Sequence, residues 1–106
     1  MMLLTKEIRK TLPKLYSQEK KGENAMAVVK FFTPWTNWTW LVTEGQPDMD
    51  EDNKEIDFMF FGLVDGFEQE LGYFSLNEIM EVKGPAGLKI ERDLYFTPKA
   101  LKDCRR

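Results

Sequence analysis

The sequence has no histidine and a single cysteine, Cys104, near its C-terminal end. Zinc sites made of histidine and cysteine, haem attachment motifs and hydrolases with a histidine base therefore lack their essential residues. Any catalysis would have to use Asp, Glu, Lys, Tyr or backbone groups. We assign no catalytic residue, metal ligand or cofactor from the sequence, and we expect a protein that is not an enzyme.

A membrane segment and a targeting signal are missing as well. No apolar run approaches the roughly 20 residues that a membrane helix needs, and the first four residues lead directly into the polar segment 5–7. Since one cysteine also fits a reducing compartment, we expect a cytoplasmic protein with no membrane partner. The 106 residues, 42% of them hydrophobic, suffice for a core without a disulfide and predict a single domain, residues 1–106.

The net charge of −3 conceals three blocks of alternating sign. Residues 1–30 and 83–106 each carry seven basic and three acidic side chains, whereas residues 31–82 carry one basic and twelve acidic side chains. The fold decides whether these blocks form separate patches or neutralise one another. Mixed-sign surfaces are usual in small soluble domains, which favours neutralisation.

Capping residues predict three helices. Thr5 can cap a first helix that ends before Pro13. Ser75 and Glu78 have the spacing of a capping box and begin a second short helix. A threonine followed by proline at 97–98 is typical of a helix start and predicts a last short helix around Leu101.

Apolar and β-branched runs predict the strands, which we place at residues 27–33, 38–43, 56–64, 70–74 and 88–96. The third run is apolar on both faces and indicates a strand covered on both sides. The acidic stretch 45–55 has no apolar period and is interpreted as a mobile hairpin loop. The resulting class is α+β: an antiparallel sheet of four or five strands, with the N-terminal helix and the two short helices packed on one face.

Seven segments resemble an uncharacterised family of small bacterial proteins that contain a domain of unknown function. They are LLTKEIRK (3–10), LPKLY (12–16), VKFFTP (29–34), NWTW (37–40), FFGLV (60–64), ELGYFSL (70–76) and IERDLYF (90–96). Members of that family are common on plasmids, phages and integrating elements. The resemblance covers nearly the whole chain and implies a cytoplasmic accessory protein of a mobile element, but it implies no activity.

Three tryptophans within six residues form the first candidate contact region. Trp38 and Trp40 share one face of a predicted strand, so we expect them in or beside the core. Trp35 follows a proline in a turn and is the better candidate for exposure. Rigid aromatic rings dominate binding hot spots, so Trp35, Asn37 and Trp38 are predicted to contact a protein partner.

Acidic side chains around a predicted turn form the second candidate region. Asp65, Glu68 and Glu70 cluster there, with Glu44 at the end of the preceding strand. A solvated loop is the usual role of such residues, while the functional alternatives are a surface for a protein partner or, together with Arg92, a carboxylate-based small-ligand or metal-dependent enzyme. Arg92 would either bind a carboxylate or phosphate or form an internal salt bridge.

Basic side chains at the two ends of the chain suggest an alternative function in nucleic-acid binding. They are Lys6, Arg9, Lys10 and Lys14 in the first helix, and Lys99, Lys102, Arg105 and Arg106 at the C-terminal end. These groups could contact phosphates together if the two ends meet. A pI of about 5.0 and the lack of a known nucleic-acid-binding motif make this the minority alternative.

The sequence therefore favours a non-enzymatic accessory binding protein of a mobile genetic element that acts through a protein partner. The predicted contact residues are Trp35, Asn37, Trp38, Glu44, Asp65, Glu68, Glu70 and Arg92. Its alternatives are a nucleic-acid-associated factor and a carboxylate-based enzyme.

Overall fold

A five-stranded antiparallel sheet organises the structure, a computed structural model that describes residues 1–105. The strands are β1 (Met26–Ala27), β2 (Val29–Phe32), β3 (Thr39–Met49), β4 (Glu55–Asp65), β5 (Gln69–Ser75), β6 (Glu91–Arg92) and β7 (Lys99–Ala100). The order in the main sheet is β5-β4-β3-β2-β6, and β1 pairs with β7 in a separate two-stranded sheet. Two helices, α1 (Lys6–Thr11) and α2 (Leu76–Glu81), and three short 3-10 turns at Glu19–Asn24, Pro85–Gly87 and Leu101–Asp103 complete the chain. The predicted α+β class is confirmed.

The main sheet has two faces of different character, because side chains alternate along each strand. One face, which we call the main face, packs Phe31, Trp40 and Phe60 against the residues of α1 and α2. The opposite face, the second face, packs Leu41 and Leu63 against smaller residues of β1 and the C-terminal turn. The main face therefore carries the larger core.

One helix lies on the other side of the sheet from its predicted position. The last helical turn, Leu101–Asp103, packs on the second face, because Leu101 closes the smaller cluster with Ala25 and Ala27. The proposal that all three helices cover one face is therefore wrong for this element. Of the helical elements in residues 1–105, α1 and α2 contribute residues to the larger core.

The acidic stretch interpreted as a loop is mostly a hairpin. β3 continues to Met49 and β4 begins at Glu55, so only a short turn remains between them. The Asp50 carboxylate closes this turn by accepting hydrogen bonds from the backbone N–H groups of Asp52 and Lys54, at 2.8 and 2.9 Å. Strand pairing needs backbone groups alone, which explains why the polar composition misled the prediction.

Two other segments differ in detail. The run 27–33 is divided at Val28, because Ala27 pairs with Lys99 while Val29 pairs with Val42. The extended run 88–96 contains only the two-residue strand β6. Both α-helices have six residues, and within residues 1–105 no helix combines the length and hydropathy needed to cross a membrane.

The last helical turn does not begin at the predicted cap Thr97, because Lys99–Ala100 form β7 and the turn starts only at Leu101. Helices α1 and α2 do begin at their predicted caps. The hydroxyl of Thr5 accepts a hydrogen bond from the backbone N–H of Ile8, and that of Ser75 accepts one from Glu78, at 3.2 and 3.1 Å. Asp57 of β4 adds a second anchor for α2, because its carboxylate accepts the backbone N–H of Asn77 at 3.0 Å. These bonds orient α2 against β4.

Gly62 and Gly72 face each other across β4 and β5. A Cβ atom on Gly62 would lie 2.0 Å from the carbonyl oxygen of Leu41 on the neighbouring strand, so only glycine fits. A Cβ atom on Gly72 would meet nothing within 4 Å among residues 1–105. The β4–β5 register is continuous through this pair, whereas the β3–β4 register shifts between Val42 and Glu44 and again between Asp48 and Met49.

This pair of glycines gives a matched test of packing. We expect Gly62→Ala to lower the free energy of unfolding by about 2–3 kcal/mol, because the strands must separate to admit the methyl group. Gly72→Ala should change it by less than about 0.5 kcal/mol. Urea unfolding followed by circular dichroism measures both, and equal effects would contradict the close approach at Gly62.

Asp57 gives a test of pH dependence. Burial alone would raise the pKa of Asp57, but hydrogen bonds from the backbone of Asn77 and Phe58 outweigh it and the pKa is lowered. A lowered pKa in the folded state contributes stability at neutral pH that is lost as the pH falls below about 4. Asp57→Asn should lower the free energy of unfolding by about 1 kcal/mol at pH 7. The difference from the wild type should shrink towards pH 2, and a constant difference in unfolding experiments at both pH values would refute this assignment.

Candidate functional site

A groove of about 710 Å³ lies on the second face. Its floor is formed by Lys30 of β2, Leu41 of β3 and Asp65 of β4, which point away from the larger core. Its walls come from three segments of the chain, residues 33–39, 93–99 and 103–104. We call this cavity the Trp38 groove.

The turn between β2 and β3 shapes one wall of the Trp38 groove. The backbone N–H of Thr33 donates to the carbonyl of Trp38 at 3.1 Å, and the Thr36 hydroxyl accepts the Trp38 N–H at 3.1 Å. The hydroxyl groups of Thr33 and Thr36 also bond to each other. These bonds explain how a tight turn presents Asn37 and Trp38 to the groove.

The turn that follows β4 packs against the ring of Trp38. Its ring occupies the space where a Cβ atom on Gly66 would lie, and it meets the Phe67 ring edge-to-face with a centroid distance of 5.3 Å. The Trp40 ring lies 6.0 Å away on the core side. As predicted, Trp40 is buried in the core and Trp38 is half-buried beside it.

Charges of both signs line the Trp38 groove. Asp65 is only 5% exposed and accepts a hydrogen bond from the Gln69 amide at 3.4 Å. The Lys30 ammonium lies 3.9 Å from the Asp93 carboxylate. Lys99 lies over the ring of Phe96, 5.6 Å from its centroid. A ligand in the groove would therefore meet both donors and acceptors.

The thiol of Cys104 also lines the groove but is not activated. Burial raises the pKa of Cys104 and outweighs the opposite effect of Lys99 and Lys30, while the charge of Asp103 raises this pKa further. The thiol donates a hydrogen bond to the carbonyl of Ala100 at 3.4 Å. At neutral pH a thiol with a raised pKa stays protonated and is a poor nucleophile.

The structure brings together three of the predicted contact residues. Asn37, Trp38 and Asp65 line one groove although they lie on separate segments of the chain. The expectation of a solvated acidic loop is wrong for Asp65, which is buried, and agrees with the exposure of Glu68 and Glu70.

Trp35 does not join this group. Its ring packs over Gly84, where a Cβ atom would lie 2.5 Å from the ring atoms, and the side chain is half-buried. The predicted exposure of Trp35 is therefore only partial. Gly84 could not be predicted from the sequence as the neighbour of Trp35, because 48 residues lie between them in the chain.

The acidic residues and Arg92 do not converge. Glu44 pairs with Phe61, which lies four residues from Asp65 along β4, or about 13 Å away. Glu70 and Arg92 lie on β5 and β6, the opposite edges of the sheet, which are about 19 Å apart. In residues 1–105 no group of three or more Cys, Asp or Glu side chains could hold a metal ion. The carboxylate-based enzyme alternative therefore lacks its cluster in this part of the chain.

Among residues 1–105 Arg92 does not form the predicted internal salt bridge, and its binding of a carboxylate or phosphate stays a prediction. The salt bridge of this segment is made by its neighbour Asp93, which pairs with Lys30. The Arg92 side chain is half-buried, and its Nε atom has no hydrogen-bond partner among residues 1–105. Its backbone N–H donates to the sulfur of Met1 at 3.2 Å.

The basic ends lie on opposite sides of the sheet. α1 covers the main face, whereas the C-terminal turn covers the second face. Arg9 pairs with Glu55, and Arg105 pairs with Glu23 at 2.8 Å. The hydrogen bonds from these arginines lower the pKa of each glutamate. The ends do not merge into one basic patch, and Arg106 lies outside the described residues.

Glu44 was expected on an acidic surface but is buried, with 3% of its surface exposed. One carboxylate oxygen accepts the backbone N–H of Tyr16 and the other that of Gln18, both at 2.7 Å. The carboxylate lines a small pocket of about 220 Å³ beside the rings of Tyr16 and Tyr73. Sequence reasoning missed this pocket, and the one available signal was a glutamate that directly follows an apolar strand.

The comparison with protein families finds one described as "Protein of unknown function (DUF2958)", which matches residues 3–102. Neither the comparison with curated proteins nor that with solved structures finds a match. The resemblance to an uncharacterised family is thereby confirmed over nearly the whole chain. The occurrence on plasmids and phages stays a prediction.

The state of Cys104 can be tested directly. A raised pKa leaves less thiolate at any given pH, so folded protein should react with iodoacetamide at pH 8 several-fold more slowly than an ordinary thiol. Protein unfolded in urea at the same pH supplies the reference rate. Equal rates in the two states would show that the groove does not suppress ionisation of this thiol.

Proposed function

The chain belongs to this family of proteins of unknown function, and we propose that it is a non-enzymatic binding protein that holds a segment of a protein partner in the Trp38 groove. We further propose that it serves as an accessory protein of a mobile genetic element in the cytoplasm. The resemblance to small bacterial proteins of plasmids and phages supports this second part. The shape of the groove supports the first.

Two exposed aromatic rings carry the proposal. Tyr95, which lines the groove, and Phe67, which contacts Trp38, are each 93% exposed. Large aromatic side chains that lie in water gain most from burial in an interface, and they are enriched among binding hot spots. One of these rings lines the groove and the other contacts a residue that lines it, which favours a protein surface as the occupant.

The polar lining is compatible with a peptide segment. Asn37 offers an amide, and Asp65 and Lys30 offer charges of opposite sign on the floor. A segment of a protein carries backbone donors and acceptors at every residue and can use both kinds of group. An interface with an aromatic rim and a polar floor would obtain specificity from the floor and affinity from the rim.

The same lining weighs against nucleic acid in this groove. Its three aspartates, Asp65, Asp93 and Asp103, outnumber its two lysines, Lys30 and Lys99. Phosphate binding is dominated by attraction to basic side chains, so this lining would repel a nucleic-acid backbone. The nucleic-acid alternative therefore depends on the exposed lysines of the N-terminal segment, Lys6, Lys10 and Lys14.

A tagged pull-down from cells that carry the gene tests the proposal. Wild-type protein should retain a discrete protein at both low and high salt, and the retained protein should bind again when purified. Tyr95→Ala should reduce this retention at least about fivefold, because truncation of a hot-spot aromatic removes more than about 1 kcal/mol. In the same experiment, Trp35→Ala tests whether the turn at Trp35 contacts the partner, as the sequence predicts.

The matched control is Met49→Ala, which alters an exposed apolar side chain on the distant hairpin. This variant should bind like the wild type. Retention that is insensitive to Tyr95→Ala and Asn37→Ala would contradict binding in the groove. Retention of nucleic acid alone, lost at high salt and in variants of Lys6, Lys10 and Lys14, would instead favour the alternative.

A further inference from the structure

The small pocket beside β5 is a second cavity with its own chemistry. It has a volume of about 220 Å³ and shares no lining residue with the Trp38 groove. Three aromatic side chains, Tyr16, Phe61 and Tyr73, line it together with Leu71 and the carboxylate of Glu44. We call it the Tyr73 pocket.

The rings of the Tyr73 pocket are arranged at angles to one another. The centroids of Phe61 and Tyr73 are 4.9 Å apart, and those of Tyr16 and Tyr73 are 6.2 Å apart, with interplanar angles near 60°. Aromatic faces attract cations, and several rings around one cavity are the usual way in which proteins recognise ammonium groups. The walls therefore favour an organic cation with an aliphatic part.

Tyr16 is fixed in place over the pocket. Its φ angle of 73° lies in the left-handed region, which bulky residues rarely adopt. The Glu44 carboxylate holds this conformation by accepting the Tyr16 N–H. The ring position thus depends on the same carboxylate that lines the cavity.

Glu44 gives the pocket a buried negative charge. The backbone N–H groups of Tyr16 and Gln18 use two of the roughly four acceptor positions of a carboxylate, so two remain. No lysine or arginine nitrogen among residues 1–105 lies within 4 Å of it. A buried carboxylate is unfavourable unless a cation compensates it, and the pocket is where such a cation would enter.

The local electrostatics agree with this assignment. Burial, the neighbouring Tyr16 hydroxyl and the carboxylates of Glu19 and Glu44 all raise the pKa of Tyr73. Both carboxylates therefore act at the Tyr73 hydroxyl. The same negative charges would attract a cation bound in the pocket.

We propose that the Tyr73 pocket binds an alkylammonium group, with the ammonium head hydrogen-bonded to Glu44 and the aliphatic stem against Phe61, Leu71 and Tyr73. The proposal is independent of partner binding in the Trp38 groove. The group has two chemical sources: a free alkylamine, or the lysine side chain of an extended segment that adds to β5. β5 is an edge strand of the main sheet, and edge strands accept such segments.

A titration with n-butylammonium chloride, followed by NMR, tests the site. The ring signals of Tyr73 and Phe61 should shift with a dissociation constant on the order of 1 mM. The neutral 1-butanol has the same number of heavy atoms and should bind at least about tenfold more weakly, because it lacks the charge. Sodium chloride at equal ionic strength should cause no saturating shift. Equal binding of amine and alcohol, or shifts elsewhere only, would overturn the proposal.

Variants separate the two parts of the pocket. Glu44→Gln should weaken butylammonium binding at least about tenfold, since the compensating charge is lost. Because this variant also disturbs two buried hydrogen bonds, Tyr73→Leu provides a second test in a half-exposed side chain and should weaken binding about fivefold. Tyr95→Leu, in the other cavity, is the control and should bind normally. Undiminished binding by Tyr73→Leu would refute the site.

Two short peptides distinguish the sources. An acetylated and amidated Val-Thr-Lys-Thr-Val peptide presents the amine on an extended chain, and its partner replaces Lys by norleucine. If the lysine peptide binds at least about tenfold more tightly than butylammonium, the ligand is a lysine of a strand paired with β5. If it binds no better, the ligand is a free alkylamine. If the norleucine peptide binds as tightly as the lysine peptide, the pocket does not recognise the ammonium group and the proposal fails.

Discussion

Two buried polar side chains, Gln18 and Glu44, fasten the N-terminal segment to the centre of the sheet. The Gln18 amide donates to the carbonyl groups of Thr43 and Met26 and accepts the Met26 N–H, at 2.7 to 3.1 Å. Glu44 accepts the backbone N–H groups at both ends of the segment 16–18. Buried polar groups are tolerated only when they are bonded in this way. The position of β1, and with it the whole cover of the second face, depends on this network.

The sheet separates a packing face from a binding face. On the main face, large rings such as Phe31 and Phe60 are completely buried beneath α1 and α2. The second face is covered by short elements that contribute small side chains, Ala25 and Ala27, and by Leu101. A cover of this size cannot fill the space above a five-stranded sheet. Both the Trp38 groove and the Tyr73 pocket are consequences of that incomplete cover.

The opposite charges of the chain meet on the surface rather than in the core. Arg9 with Glu55 and Arg105 with Glu23 connect the basic ends to acidic residues of other segments, and these pairs are partly exposed. Such pairs contribute little to stability. They do reduce the charge available for nucleic acid, which leaves the aromatic and buried acidic groups of the second face as the distinctive chemistry of this protein.

The sequence by itself determined the α+β class, the caps of both helices and the alternation that buries Trp40 and Phe60, because these depend on neighbours within four residues or on a period of two. Only the tertiary structure decided that Asn37, Trp38 and Asp65 share a groove, that Trp35 packs on Gly84 and that Glu44 is buried. These placements depend on strand order and on contacts between residues far apart in the chain. A local sequence pattern does not specify which distant segment will cover a given face of the sheet.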